Sequence, residues 1–150
     1  MPLAYIRSTS RAALAVGILT LSLASTASGE SFRTVMQGLA IEMNRVQSAL
    51  FVEDFATIVD AADAIVDHPR PSPDERRRIL AAVEPHIDEF RSLDQQVHEA
   101  AENLADAASD RDLEMTIRYH GRLVAACIAC HSAFREDVVG TLSSEDVPDR

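Results

Sequence analysis

Phe32, Met36, Leu39, Met43, Val46 and Leu50 return at alternating intervals of four and three residues. Only a helix brings such a set onto one face, and a seam of this kind must be buried against other helices. Phe55, Ile58, Ala62 and Ile65 form a second stripe, which prolines at 69, 71 and 73 stop near His68. Phe90, Leu93, Val97, Ala101, Leu104 and Ala108 form a third, with Pro85 suited to its first turn. Leu113, Ile117, His120, Leu123, Cys127 and Phe134 mark the inner side of a fourth, running to about Val139. Ser31 and Asp110 stand where the first and fourth helices need N-caps. The stretch DERRRILAAVE reads as a short helical piece inside the long connection, with Arg76–Arg78 as a solvated face. Neither sustained period-two alternation nor an Asn-Gly or Asp-Gly hairpin signal occurs. The spacing therefore predicts an all-α antiparallel four-helix bundle, with a polar, frayed tail from Gly140.

The first residues carry a different pattern. Arg7 and Arg11 precede the apolar run AALAVGILTLSLA, which ends in the small residues STASG. That order predicts a secretory signal peptide over residues 1–29, cleaved after Ala27 or Gly29, and a single bundle domain over 30–150. The apolar run is too short to span a bilayer, so no membrane association is expected after cleavage. The chain carries a formal charge of −10, and loss of Arg7 and Arg11 makes it more negative, because no acid precedes Glu30. Such a balance disfavours nucleic acid and anionic membranes and favours steering toward basic partners. Export implies an oxidising, periplasmic location in which a disulfide could form. The two cysteines are only three residues apart, however, and a bridge there would close a small loop and stabilise little.

Those two cysteines lie in LVAACIACHSAFRE, where Cys127 and Cys130 are followed directly by His131. C-x-x-C-H is the attachment signature of c-type haem. The two thiols add across the haem vinyl groups as thioethers, and the adjacent imidazole is placed as proximal ligand of the iron. The expected cofactor is one covalently bound haem c per chain, seated in the bundle interior. Two other chemistries use such residues. A thioredoxin-like pair prefers a strand–helix context and a cysteine at a helix N-terminus, whereas this pair falls inside a helical pattern. Structural zinc needs a further ligand close by. His68, at a helix end, and His86 and His98, on the polar side of the third helix, offer no tight ligand spacing. His120 falls about 16 Å from His131 along the fourth helix.

With a leader, four helices and C-x-x-C-H in the last of them, the chain resembles the class II c-type cytochromes, the cytochrome c-prime family. The resemblance covers essentially all of the chain after the leader. The family follows its motif with an aromatic residue and an arginine, and CIACHSAFR supplies Phe134 and Arg135. It also places an arginine and then a methionine or bulky aliphatic residue early in the first helix, matched by Arg33 and Met36 of FRTVM. The three-proline connection and the Arg76–Arg78 run depart from the family pattern. The resemblance implies that Arg33 and Arg135 pair with haem propionates or line the haem edge. The family often dimerises through its first two helices, which makes a homodimer a candidate assembly.

One branch of the family has a thioether from the first helix as sixth ligand and carries electrons; the other is five-coordinate and binds NO or CO. Met36 and Met43 are about 10 Å apart along their helix, so only one can reach the iron. Counted from Ser31 and from Val139, His131 lies about 12 Å from its helix end, Met36 about 8 Å and Met43 about 18 Å. That depth selects Met36, leaving Met43 as core filler. The sequence thus reads as an exported one-electron carrier and not an enzyme, with His131 and Met36 as iron ligands and basic redox proteins as partners. The competing readings are a five-coordinate gas-binding haem protein and a helical non-haem metal or thiol protein.

Overall fold

The computed structural model describes residues 29–143. The predicted leader, with its cleavage site after Ala27, lies outside the described residues, as does the tail beyond Ser143. Five helices follow one another: α1 (Phe32–Leu50), α2 (Phe55–Val66), α3 (Pro73–Ala82), α4 (Ile87–Ser109) and α5 (Leu113–Ser143). A single 3-10 turn, Glu84–His86, leads into α4 and holds Pro85, one element earlier than its expected place in the helix itself.

The helix starts are written in short polar side chains. The Ser31 hydroxyl accepts the Thr34 N–H at 3.1 Å, and the Asp54 carboxylate accepts the Thr57 N–H at 3.2 Å and its hydroxyl at 2.7 Å. Those bonds, that from the Thr57 side chain foremost, hold the Asp54 carboxyl below the usual carboxylate range. Ser72 caps α3, with Pro73 in its first turn. The cap of α5 is Asp112, not Asp110 as the sequence suggested: Asp112 accepts the Met115 N–H at 3.0 Å. Asp110 instead ends α4. Between them Arg111 takes a left-handed φ of 56°, and the Asp112 N–H reaches back to the Ala107 carbonyl at 3.0 Å. The α1–α2 turn repeats this geometry, with Glu53 at φ 53° and the Asp54 N–H on the Ala49 carbonyl at 3.0 Å. Both are left-handed C-terminal caps that hand directly to the next N-cap.

The closely packed pairs are α1 with α2, α2 with α4, α4 with α5, and α3 with α5; α1 does not pack closely on α5. The main core joins Val46, Ile58, Ala62, Leu104 and Leu123 from α1, α2, α4 and α5, with Met43 and Cys127 packed against it. A smaller core sits at the far end, where Ile79 and Val83 of the α3 segment meet Phe134 and Val138 of α5. Phe90 meets Phe134 edge-on, with ring centroids 5.3 Å apart. Arg111 lies over the Phe55 ring at 5.0 Å, so the α1–α2 and α4–α5 turns share one end of the bundle.

Three expectations about α5 and its surroundings change. The helix continues past Val139 to Ser143. Ile117, assigned to the inner side, is 52% exposed, and Thr116 is buried in its place, its hydroxyl on the Asp112 carbonyl at 2.6 Å. The reason is angular: Thr116 falls on the same stripe as Leu123 and Phe134, and Ile117 is turned 100° from it. His98, expected on a polar side, is half-buried and stacks on His68, with centroids 5.3 Å apart.

Candidate haem site

The segment Leu123–Glu136 is rich in alanine, a strong helix former, and carries neither glycine nor proline. It continues α5 without interruption, so Cys127 and Cys130 stand one turn apart on the same face. Both thiols are free and half-buried. Cys127 packs against the main core and Cys130 against the smaller one, so the pair bridges the junction between them. Burial pushes the Cys127 thiol up. Burial does the same at Cys130, with the Asp94 carboxylate and Cys127 adding to it. Burial thus disfavours the thiolate form, whereas a disulfide-exchange pair needs it stabilised. Among the described residues no group of three or more His, Cys, Asp or Glu side chains is placed to hold a metal ion.

His131 is exposed. On its flank of α5 lie Ile128, 59% exposed, and Val139, 48% exposed, with Arg135 one turn beyond. An exposed apolar stripe beside an imidazole is a surface that lacks its cover.

The heights of the other candidates follow from the shared end of the two turns. At about 1.5 Å per residue, Met36 stands about 21 Å above Leu50 on α1, and Cys127 about 21 Å above Leu113 on α5. Arg33, Cys130 and His131 lie at about 26–27 Å, whereas Met43 lies at about 10 Å, level with His120. The packing agrees, because Phe32 and Cys130 adjoin the same small core, and Met43 adjoins the main one. Depth counted from the helix ends does not align the two helices, since α5 continues to Ser143, about 18 Å beyond the level of Phe32. The two hairpin turns supply the register instead. Met36 is half-buried and packs against neither core. Arg33 and Arg135 are exposed, and neither forms an ion pair among the described residues.

Two residues near the motif escaped sequence reasoning. Phe90 was read only as part of a seam, yet it packs edge-on against Phe134 beside the motif. One turn on, Asp94 carries the carboxylate that acts on Cys130. Its signal was an acid placed one turn after Phe90 on a helix whose stripe is otherwise apolar.

A helical bundle with a paired-cysteine and histidine motif on its last helix defines a c-type haem protein. Residues 29–135 match the family described as Cytochrome C', and the chain belongs to that family. Its cofactor is accordingly covalently attached haem c. Neither curated proteins nor solved structures yield a match to the chain. The residues present fit the group: two free thiols one turn apart, an adjacent exposed imidazole, and an exposed apolar flank beside it.

Proposed function

We propose that this chain is an exported one-electron carrier rather than an enzyme. Cys127 and Cys130 form the two thioethers, His131 is the proximal ligand and Met36 the sixth. The bound haem would supply reversible one-electron chemistry at its iron. The protein's part is to hold both axial groups in place, cover the apolar faces and exclude bulk water. The observation that carries this reading is the height of Met36, within about 6 Å of His131 along the bundle axis, against about 16 Å for Met43. Arg33, at the height of His131, and Arg135, one turn from it, are placed to receive propionates.

The formal charge of −10 supports a partner with a basic docking surface. The signal-like leader supports a periplasmic location, and no described helix is long and apolar enough to cross a membrane. A homodimer would use α1 and α2, where Ile41 of α1 and Phe51 and Val52 of the intervening turn are exposed.

The five-coordinate, NO- or CO-binding reading has its own observation. Met36 packs against neither core, and α1 is free to stand away from α5. The test is a pair of variants in the haem-loaded protein. Met36→Ala is expected to turn the ferric spectrum toward high spin, to admit CO rapidly and to lower the reduction potential. Met43→Ala is expected to keep the ligand field and lose only packing, about 2–5 kcal/mol where the site cannot collapse. A wild-type protein that is already high-spin and binds CO fast would replace the carrier with the gas binder.

A further inference from the structure

The three-proline connection, a departure from the family pattern, meets α1 at the height of the haem site. Its support is needed there. α2 rises only about 16 Å from Phe55 to Val66, so the Phe32–Met36 turn, at about 21–27 Å, stands above the helix that α1 packs on. α5 offers no close packing in exchange. Besides the packing of Phe32 against the small core, what holds this end is the start of α3. Ser72 donates its N–H to the Glu30 carbonyl at 3.0 Å. The Glu75 carboxylate accepts the Phe32 N–H at 2.9 Å, and the Ser72 hydroxyl lies 3.4 Å from the same oxygen. Glu75 in turn donates its own N–H to the Ser72 hydroxyl at 3.3 Å. The approach is close enough that a Cβ at Gly29 would lie 2.8 Å from the Ser72 Cα. α3 then carries the load onward, because Ile79 and Val83 pack on Phe134 and Val138, just beyond the motif on α5.

We infer that Glu75 is a positioning residue for the distal side of the haem. By capping the first N–H of α1 from a helix seated on α5, it fixes how closely the Met36 turn approaches the face that carries His131. It thereby sets how readily the position opposite His131 opens. A carboxylate suits this place doubly, since it also faces the positive end of the α1 dipole. The inference rests on haem attachment through Cys127, Cys130 and His131. It does not depend on whether Met36 bonds the iron or only covers it.

The experiment compares haem-loaded wild type, Glu75→Ala, Glu75→Gln and Met36→Ala by CO association rate, ferric spectrum and amide exchange at Phe32. Glu75→Ala is expected to retain covalent haem, lose protection at Phe32 and bind CO about tenfold faster, the scale of one lost helix cap. Glu75→Gln keeps an oxygen that can accept the Phe32 N–H and is expected to stay near wild type. A CO rate indifferent to Glu75→Ala in a protein that holds haem would overturn the inference alone, as would a Gln variant as fast as the Ala one. A high-spin wild type in which Glu75→Ala still speeds CO binding removes Met36 ligation and upholds the positioning role. A wild type without covalent haem sinks the haem reading and this inference together.

Discussion

His120 shows how a single residue reports on its surroundings. It lies on α5 at the height of Met43, half-buried, and burial holds its pKa below the ordinary 6.5. The unfolded chain therefore takes up a proton at a pH where the folded chain does not. The stability linked to this group is present above 6.5 and is lost as pH falls through the depressed folded value. His120→Leu is expected to flatten the fall in stability below 6.5, measured as denaturant midpoints across that range. A profile unchanged by the substitution would place the acid sensitivity elsewhere. The cysteines make the converse point. Their thiols are raised by burial, so an ordinary thiol reagent is expected to modify them slowly near neutral pH.

At the scale of elements, the turns carry most of the local information. Glu53 and Arg111 both hold left-handed backbone without being glycine, at a cost of about 1–2 kcal/mol each. Glu53 is exposed, and its side chain forms no ion pair among the described residues. Glu53→Gly is therefore expected to stabilise the fold by about 1 kcal/mol, read from chemical denaturation. Arg111→Gly should gain less, because the guanidinium over Phe55 is worth about 0.5–1 kcal/mol of cation–π attraction. Equal gains at the two positions would show that the Arg111–Phe55 contact contributes nothing. That contact also ties the two hairpins at one end, and so sets the heights from which the site was assembled.

At the scale of the molecule, the bundle is a chain of helix pairs, α1 to α2 to α4 to α5, that does not close back on itself. Haem between α1 and α5 would supply the missing apolar cover. The variant lacking both Cys127 and Cys130 is expected to show no haem stain after denaturing electrophoresis. Losing a group that binds only the folded form should also remove about 2 kcal/mol or more, a fall in melting temperature of roughly 10 °C. Stain retained in the double variant would refute covalent attachment. Full loss of stain with an unchanged melting temperature would instead mean that the bundle is self-sufficient and that the open side needs no cover.

The sequence by itself determined the helices, the Ser31 cap of α1 and the attachment motif, because each of these is local. A seam at intervals of three and four, a serine before a helix, and C-x-x-C-H are complete within a few turns of chain. Even there, Asp110 and Asp112 were exchangeable on paper, since both precede an apolar run; the left-handed backbone at Arg111 decided between them. Tertiary structure alone decided the heights of Met36 and Met43 against His131. Heights depend on where two hairpins meet, and the Arg111–Phe55 contact joins residues far apart in sequence. It likewise decided that Thr116 rather than Ile117 turns inward, since only the neighbouring helices define which way inward is. The bond from Glu75 to the first N–H of α1 spans 43 residues. A charged residue in a polar connection gives no sign of its partner until the fold brings the two ends together.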